Sequence, residues 1–421
     1  MRVAPKVLLA DATWFGTLAA ARDLAKHGVF VTLASDSWSA PARWSRYVSK
    51  VVSCPSSKDV SAFLAWLLRF GAEQPGTVLY PTSDEIAWLV ASHREEISRY
   101  YTLYSPPITS LINILDKACL TENAKKAGLD VPDEIMPHNE AEVEQCGRTA
   151  SFPLYVKPRG QMFGFGVGKG VRVDNPSELM AAWRKQVATV TYDPEVVRHI
   201  PEVHLPVLQR CMCGGGRIYT VDGFIDETGD VSAMLACVKV LQRPRGNGPG
   251  IIFEHAEMDA DIEQGLRRLF RNLGFHGVFD AEFLEVGSRK LLIDINPRFY
   301  NHMAFEIERG LHLPWLTYLA ATGDREALKM EIAMARLASA QRRAYVHRLS
   351  LGLLFRVQRL AGRMSAADEQ AWRRRIAAYG NAITDPVWAA GDDKPAIAEM
   401  AMELVSAARH PRSYFRGLLK T

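Results

Sequence analysis

Two neighbouring segments near residue 290 alternate apolar and polar side chains, as an antiparallel hairpin requires. Residues 278–298 read VFDAEFLEVGSRKLLIDINPR. Because successive strand residues point to opposite faces, the polar members of both strands share a face if the loop has an odd number of residues. A three-residue loop at 287–289 predicts that Glu282 lies directly opposite Asp294, with their Cβ atoms about 5 Å apart.

The polar face of this hairpin indicates a cation site. Glu282, Asp294 and Asn296 would gather two carboxylates and an amide oxygen, which repel one another unless a cation lies between them. Hard oxygen ligands with room for water and phosphate oxygens suit Mg²⁺, with Mn²⁺ as the alternative ion. An ordinary charged hairpin also explains the alternation. It does not explain why all three groups precede Pro297-Arg298.

A glycine-rich stretch lies between two apolar runs at residues 155–173, which read YVKPRGQMFGFGVGKGVRV. A dinucleotide fingerprint would place its glycines before a helix, whereas these lead into a segment that alternates like a strand. A Walker loop needs Ser or Thr after Gly-Lys, and Gly168-Lys169 is followed by Gly170. We therefore predict a mobile flap between two strands, whose backbone N–H groups can approach an anion above Lys157. A disordered hairpin without a ligand is the alternative.

The order of predicted elements indicates three parts. Residues 6–34 and 59–97 alternate strands and helices, which predicts a small parallel sheet with helices on its faces. Helices follow over 109–127. Strands then dominate, at 152–157, 170–174, 205–211, 216–226, 231–241, 278–286 and 290–296, with helices near 177–187 and 259–273; from about 313 the pattern is helical. We expect an α/β domain at 1–107, an α+β domain at 108–325 with lobes at about 130–210 and 211–325, and a helical extension at 326–421.

Composition narrows the class of protein. A chain of 421 residues predicts about three domains, and its net charge of +4 is too small to argue for nucleic acid. No apolar run approaches the roughly 20 residues that span a bilayer. The six cysteines are scattered, which predicts reduced thiols in a cytoplasmic protein. Cys211 and Cys213 have no second ligand pair nearby, so a zinc site there is not expected.

The motifs together resemble the ATP-grasp superfamily. They are FPLYVKP before the glycine flap, the DK of Asp116-Lys117 before AKKAGLDVP, and EFLE followed by LLIDINPR. The segments ARDLAKHGVFV, SRYV and VLYPTSDE are similar to the preceding domain of carbamoyl-phosphate-synthase-like members. The similarity covers about residues 6–325. It implies an N-terminal parallel-sheet domain followed by a two-lobed ATP-grasp domain, and the activity of a carboxylate–amine ligase that uses ATP and Mg²⁺.

The resemblance also implies roles for single residues. Those with a role in nucleotide binding are the phosphate-holding Lys117 and Lys157, the flap glycines Gly164 and Gly166, and the hinge residues Gln209, Arg210 and Met212. Glu282, Asp294 and Asn296 match the magnesium ligands. Arg298 matches the arginine that faces the acyl phosphate or the acceptor carboxylate. For the further cation at the γ-phosphate, Lys239 is the first choice, before Arg243 and Arg245.

Three positions depart from the family pattern. Asp294 stands where Glu is usual, which shortens the reach of the carboxylate by one methylene. Gln209-Arg210 stands where the hinge commonly carries a glutamate that contacts the ribose. The flap carries Met162, Phe163 and Phe165 in place of smaller residues, and these side chains either close over the site or pack on the lobe below.

Three functions remain open from the sequence. The leading hypothesis is an ATP-dependent ligase that activates a small carboxylate as an acyl phosphate and joins it to an amine. The second is a catalytically silent nucleotide-binding or scaffold protein with the same fold. The third is a carboxylase that activates bicarbonate, which is disfavoured because no biotin-carrier domain follows on this chain. No nucleic-acid partner is expected, and a homodimer is expected only by analogy.

The C-terminal segment RRAYVHRLSLGLLFRVQRLAGR has apolar residues at helical spacing with arginines between them. We expect a helix that packs on the ATP-grasp part with its arginines in water, because amphipathic helices usually face a core. The less favoured alternative is association with an anionic membrane surface or a partner.

Overall fold

The computed structural model describes residues 6–10, 12–160, 162–165, 170–211, 217–244, 248–338 and 342–419. The first part of the chain forms an α/β layer. Its elements are β1 (Lys6–Ala10), α1 (Phe15–Lys26), β2 (Phe30–Ser35), a 3₁₀ helix (Pro41–Trp44), β3 (Lys50–Ser53), α2 (Val60–Glu73), β4 (Thr77–Pro81), α3 (Asp84–Ser92), α4 (Arg94–Ile97) and β5 (Tyr101–Leu103).

These five strands make a parallel sheet in the order β3-β2-β1-β4-β5, which we call the N-terminal sheet. The residues Val7–Ala10 are fully buried because helices cover both faces, as parallel strands require. Leu9 packs on the side of α1 and Leu8 on the side of α2 and α3. The parallel sheet predicted from the alternation is present.

Two helices and a small sheet follow. The elements are α5 (Ile108–Leu115), α6 (Lys117–Lys126), β6 (Glu134–Ile135), α7 (Glu140–Thr149), β7 (Leu154–Lys157), β8 (Gly164–Phe165), β9 (Val171–Val173), α8 (Pro176–Thr189), β10 (Thr191–Tyr192), α9 (Pro194–His199) and β11 (Val207–Arg210). The small sheet has the order β6-β11-β7-β9, and β8 pairs separately with β10. The helices predicted over 109–127 are α5 and α6, which meet at Asp116, whose carboxylate accepts the Ala118 N–H and caps α6.

The rest of the chain builds the largest layer and covers it. Its elements are β12 (Ile218–Ile225), β13 (Ser232–Gln242), β14 (Gly250–Ala256), α10 (Ala260–Leu273), β15 (Gly277–Val286), β16 (Arg289–Asn296), α11 (Met303–Glu308), α12 (Leu313–Thr322), α13 (Arg325–Ala338), β17 (Ala344–Val346), α14 (Arg348–Leu360), α15 (Ala366–Ala377), β18 (Ile383–Thr384), α16 (Lys394–Arg409) and α17 (Pro411–Leu419). The mixed α/β and α+β class predicted from sequence is confirmed.

Seven strands form the large sheet, in the order β16-β15-β12-β13-β14-β17-β18. One face carries apolar residues such as Phe279, Phe283 and Ile295, and α5, α6 and α10 bury this face. The opposite face carries the polar members of the same strands. The predicted metal ligands Glu282, Asp294 and Asn296 therefore share one face of this sheet.

The extension beyond residue 325 is mainly helical, as predicted, but it also supplies β17 and β18, which the sequence did not indicate. The amphipathic helix α14 packs Leu354 and Phe355 against Ile251 and Ile252 of β14. This is the favoured of the two arrangements considered for that segment. Within the described ranges, no helix combines the length and apolar character that crossing a bilayer demands.

Candidate active site

The hairpin β15–β16 brings the three predicted metal ligands together by a route that differs from the prediction. Val286 pairs with Arg289, so the turn has two residues and the expected three-residue loop is wrong. Ile293 is an extra residue in β16, since Phe283 pairs with Leu292 while Glu282 pairs with Asp294. This bulge restores the register that a two-residue turn alone would have shifted by one residue. Glu282 therefore lies opposite Asp294.

Two lysines compensate the two carboxylates. Lys117 Nζ lies 3.2 Å from Asp294 Oδ1, and Lys239 Nζ lies 2.6 Å from Glu282 Oε1. Burial lowers the pKa of Lys117, but Asp294, with Glu134 and Glu282, outweighs this effect and holds the pKa above its ordinary value. The same balance, with Glu282 as the main carboxylate, raises the pKa of Lys239. Both lysines are thus held as cations at the sheet face.

Arg298 follows β16 and connects this face to the N-terminal sheet. Its Nη2 donates to Asn296 Oδ1 at 2.9 Å, and its Nε donates to Asp84 Oδ1 at 3.1 Å. Asp84 is the first residue of α3. Asn296 Nδ2 in turn donates to Asp280 Oδ2 at 3.0 Å. The predicted arginine is therefore fixed by two different parts of the chain.

Lys157 ends β7 in the small sheet and donates to the side chain of Gln209 in β11. Gln209 donates in turn to Glu134 of β6. Burial and the nearby Lys117 lower the pKa of Lys157. A Cβ added at Gly170 would lie 2.7 Å from Lys157 Cγ, so the second strand of the flap approaches this lysine as only glycine allows.

The structure describes only part of the predicted hinge, and the backbone N–H groups that it describes there already have partners. The Arg210 N–H donates to Asp133 O at 3.0 Å and the Cys211 N–H donates to Pro153 O at 2.9 Å, so neither is available to a base. Gly164 belongs to β8, which pairs with β10. Three residues of the predicted set, Gly166, Met212 and Arg245, lie outside the described residues.

Arg243 does not reach the site. Its Nη1 and Nη2 lie 2.8 and 2.9 Å from the carboxylate oxygens of Glu403 in α16. Of the two described candidates for the further cation, the structure brings Lys239 to the acidic face and places Arg243 against the C-terminal extension.

Two apolar residues of the flap segment are buried. Met162 and Phe163 pack with Trp88 of α3 and with Val196 and Val203 near α9. Met162 also lines the small pocket described below. Of the two alternatives for these side chains, packing on neighbouring elements therefore holds for both, and Met162 also borders the site. Phe165 belongs to β8, and its side chain lies outside the described part.

A pocket of about 70 Å³ lies where these elements meet. Its walls include Lys117, Asp294, Asn296 and Arg298 from the predicted set, together with Asp84. Cations and carboxylates thus face one small space between the sheet face and the start of α3.

Several solved structures resemble the fold of most of the chain. A biotin carboxylase–β,γ-ATP complex from Campylobacter jejuni matches with a TM-score of 0.60 and 15% identity, covering 76% of this chain and 71% of that one. An L-amino acid ligase from Bacillus licheniformis matches with a TM-score of 0.56 and 17% identity, covering 76% and 75%. The chain has the ATP-grasp fold.

A third solved structure is similar over the same share of the chain. The biotin carboxylase domain dimer of a Hydrogenobacter thermophilus 2-oxoglutarate carboxylase, in complex with MgADP, ADP and bicarbonate, matches with a TM-score of 0.60 and 14% identity, covering 77% of this chain and 70% of that one. No protein-family model and no curated protein sequence matches the chain. The superfamily resemblance read from the motifs is confirmed at the level of the fold.

Two residues of this candidate site were not predicted individually. Asp84 stands in the quoted segment VLYPTSDE, but nothing in the sequence indicated that it pairs with Arg298, more than two hundred positions away. Glu134 belongs to a two-residue strand, and its Oε2 accepts from Thr121 Oγ1 at 2.6 Å. It provides a carboxylate that accepts from the Gln209 side chain. The local sequence Pro132-Asp133-Glu134 did not indicate that Glu134 contacts Thr121 and Gln209.

The donor set fits Mg²⁺ by its chemistry. Glu282 and Asp294 offer carboxylate oxygens on adjoining strands, and these are the hard ligands that this ion prefers. Each is currently paired with a lysine, and the Asn296 oxygen accepts from Arg298. When a metal ion and a polyphosphate bind together, the ion would pair with the carboxylates and the phosphate oxygens would accept from the lysines.

Proposed function

We propose that the protein is an ATP-dependent carboxylate–amine ligase. The γ-phosphoryl group of ATP passes to a carboxylate of the first substrate, and an amine then displaces phosphate to form an amide, with release of ADP and phosphate. The observation that carries this proposal is the convergence of Lys117, Lys239 and Arg298 on the acidic face formed by Glu282 and Asp294.

The physical demand of this reaction is the neutralisation of charge. Two like unit charges 4 Å apart repel by about 4 kcal/mol at an effective dielectric of about 20, so a triphosphate and a carboxylate need cations between them. Phosphoryl transfer depends on positioning and charge stabilisation more than on covalent help from the protein. The three cations named above supply both.

The position of each residue indicates its role in this proposal. Lys117 and Lys157 hold phosphate oxygens, and Lys239 meets the γ-phosphate. Arg298 orients the acceptor carboxylate with its planar fork, whose position Asp84 fixes. Glu282, Asp294 and Asn296 hold Mg²⁺, with Mn²⁺ as a substitute; the ion would neutralise phosphate charge as a Lewis acid.

The remaining predicted residues form the nucleotide pocket in this proposal. They are the flap glycines Gly164 and Gly166 over the phosphates, and Gln209, Arg210 and Met212 beside the base and ribose. Glu134, which contacts Gln209, joins them. A closed flap would protect the acyl phosphate from water. We propose the boundaries 1–107, 108–325 and 326–421 for the three parts that build this arrangement.

A cavity of about 420 Å³ is the proposed site of the second substrate. It lies at the carboxyl ends of β1, β2 and β3, where open parallel sheets bind ligands. Polar side chains such as Asp36, Ser39 and Lys58 line it beside the Trp14 ring. Glu85, the residue after Asp84 in α3, also lines this cavity.

The setting of the reaction is also part of the proposal. We place the protein in the cytoplasm, as a homodimer by analogy, with small-molecule carboxylate and amine substrates and no nucleic-acid partner. Membrane association is the less favoured alternative, since α14 already packs on β14. The silent-protein hypothesis has no support at the site, because every predicted phosphate and metal position that the structure describes carries a suitable side chain.

The test is release of ADP and phosphate across a panel of amino acids, small carboxylic acids and bicarbonate, with mass spectrometry of the product. We expect stimulated ADP release with an acid and an amine together, and an amide of the combined mass. Bicarbonate-dependent release with a carboxylated product would instead establish the carboxylase alternative.

Glu282→Gln is expected to abolish ATP turnover while leaving the fold intact, because it removes one metal-binding charge. The matched control is Glu285→Gln in the same strand. The Glu285 carboxylate lies 2.8 Å from Arg217 Nε and does not line the pocket. Normal ADP release by Glu282→Gln would remove this residue from the metal site.

A further inference from the structure

A second group of chemically reactive side chains lies deeper in the large sheet, away from the pocket. Asp222 of β12, Cys237 of β13, His302 before α11 and Glu306 within α11 each offer one ligand atom, and these atoms all lie within 4.8 Å of one another. All four residues are buried. The reaction proposed above uses none of them.

The distances within this group resemble the edges of a coordination shell. His302 Nε2 lies 3.2 Å from Asp222 Oδ2, and Cys237 Sγ lies 3.5 Å from the same oxygen. In a tetrahedral site with metal–ligand distances of about 2.0–2.3 Å, neighbouring ligand atoms are about 3.3–3.6 Å apart. Two of the six separations therefore match those of a small transition-metal site, and the other ligand atoms lie within 4.8 Å of one another.

Two carboxylate oxygens in this group lack a donor. Asp222 Oδ1 and Glu306 Oε1 are buried and receive no hydrogen bond from the described residues. The Asp222 side chain faces the carboxyl groups of Asp280 and Glu306 instead. Buried polar atoms are normally paired, and facing carboxyl groups must share either protons or a cation. Burial raises the pKa of Asp222 to about 7, and burial together with the charge of Asp222 raises the pKa of Glu306 to about 8.

The nearby arginine does not satisfy these oxygens directly. Arg309 Nη1 donates to Ala236 O at 3.0 Å, and its Nη2 lies 2.9 Å from His255 Nδ1. Asp222, Asp280 and Glu306 are buried beside one another, and Arg309, His302 and Lys239 are basic groups that act on them. Within the described residues, none of these basic groups donates a hydrogen bond to Asp222 Oδ1 or Glu306 Oε1.

We propose that Asp222, Cys237, His302 and Glu306 form a buried site for one divalent transition-metal ion of the Zn²⁺ class. Two carboxylates, an imidazole and a thiolate suit Zn²⁺, whereas Mg²⁺ takes oxygen ligands. Binding would release the protons held by the thiol and the carboxyl groups. The ion would fasten α11 to β12 and β13.

The site is separate from the magnesium position. Asp280 lies between them: its register partner on one side is Asn296 and on the other is Asp222. A structural ion at Asp222 would therefore fix Asp280, and through it the side chain of Asn296, whose Nδ2 donates to Asp280. The inference does not depend on the proposed ligase reaction.

The first measurement is the metal content of the full-length protein, loaded with Zn²⁺ and dialysed in buffer that contains Mg²⁺. We expect about one zinc ion per chain to remain, as in a closed structural site. Glu306→Gln should lose this ion, while Glu282→Gln, altered only at the magnesium position, should retain it. Zinc retained by Glu306→Gln and lost by Glu282→Gln would overturn the proposal.

The second measurement identifies the sulfur ligand by Co²⁺ substitution. We expect visible ligand-field bands together with a near-ultraviolet thiolate-to-Co²⁺ band, and loss of the latter in Cys237→Ser. Cys146→Ser, at a buried cysteine beside the small sheet, is the matched control and should keep it. Absence of tightly held Zn²⁺ and Co²⁺ in a folded wild-type protein would show that the group shares protons instead, and would reject the site.

Discussion

Lys239 and Glu282 lie 2.6 Å apart, and Lys117 and Asp294 lie 3.2 Å apart, so each acidic ligand is matched by its own cation. Lys157 differs, because its described partner is the neutral side chain of Gln209. Burial and Lys117 lower its pKa, and a phosphate bound beside it would favour its charged form. Lys157 is therefore the lysine whose removal should affect nucleotide binding with the fewest other consequences.

We expect Lys157→Ala to raise the ATP concentration needed for half-maximal ADP release by about tenfold or more, the value of one charge-assisted hydrogen bond. Lys126→Ala is the control, because Lys126 is exposed and pairs only with Glu122 in the same helix. Titration of ADP release against ATP measures both variants. Unchanged ATP binding in Lys157→Ala would undo the phosphate assignment.

Asp84 gives a second prediction at this scale. Asp84→Asn removes the charge that holds Arg298 Nε, so the arginine should lose its fixed orientation. We expect the rate with saturating ATP to fall by about tenfold with little change in ATP affinity, since a charge-assisted hydrogen bond contributes about 1.5 kcal/mol. Ser83 still caps α3 by accepting the Ile86 N–H, so the helix should persist.

Steady-state rates for Asp84→Asn and Asp84→Glu, with each substrate varied in turn, test this role. The Glu variant should recover part of the loss because it restores the charge. A fall in stability without any change in rate would show that Asp84 only joins two parts of the fold.

The sequence predicted most of the site because alternation in a strand assigns side chains to faces. Glu282, Asp294 and Asn296 share a face in the structure, as expected. The turn is one residue shorter than predicted, and the extra residue Ile293 compensates for it. The predicted pairing of Glu282 with Asp294 is therefore the same with or without the bulge, so the alternation pattern could not reveal Ile293. The pairing of Asp84 with Arg298 could not be predicted either, since it depends on how two separate layers pack.

At the scale of elements, α1 and α12 meet through an ionisable pair. His312 Nδ1, at the start of α12, lies 2.6 Å from Asp23 Oδ1 in α1. The hydrogen bond to Asp23 raises the pKa of His312. The charge of Glu331 also raises this pKa, whereas burial and the charge of Lys26 lower it. Because the folded-state pKa of His312 lies above the unfolded one, the pair stabilises the fold fully below about pH 6.5. This stabilisation is lost as pH rises through the folded-state pKa.

We expect His312→Gln to be less stable than wild type by about 0.5 kcal/mol near pH 6, a small value because the ring is 34% exposed. The difference should shrink as the pH rises. Urea unfolding of both proteins at several pH values measures it, with the exposed His138→Gln as control. A difference that grows with pH would contradict the assigned direction of the pKa shift.

Prediction from sequence missed the short strands β17 and β18 and also the seven-residue strand β14. The three-residue strand β17 exists because β14 offers a hydrogen-bonding edge, and β18 then pairs with β17. Neither segment is long enough to show strand alternation by itself. Their position is decided by the partner edge, which belongs to a distant part of the chain.

At the scale of the whole molecule, the C-terminal extension holds the other parts together. Arg22 of α1 lies 2.9 Å from Asp392, which also accepts from the Ser45 hydroxyl at 2.7 Å and from the Arg46 N–H at 2.8 Å. Arg243, at the end of β13, binds Glu403 in α16. The extension thus contacts both the N-terminal sheet and the large sheet.

Removing the buried carboxylate should therefore weaken the whole fold. We expect Asp392→Ala to lower the free energy of unfolding by about 3 kcal/mol, because Arg22 would remain buried with only carbonyl partners. Asp393→Ala, at the exposed neighbouring position, should change it by less than about 0.5 kcal/mol. Chemical denaturation measures both, and equal stabilities would show that the extension is not fastened at this point.

The most direct test of the central claim is a structure of the protein with ADP and Mg²⁺. We predict that the ion is bound by Glu282 and Asp294, with Asn296 beside it, and that Lys117 and Lys157 contact the phosphates. A nucleotide bound elsewhere, or an ion held without Glu282 and Asp294, would contradict the proposed ligase site.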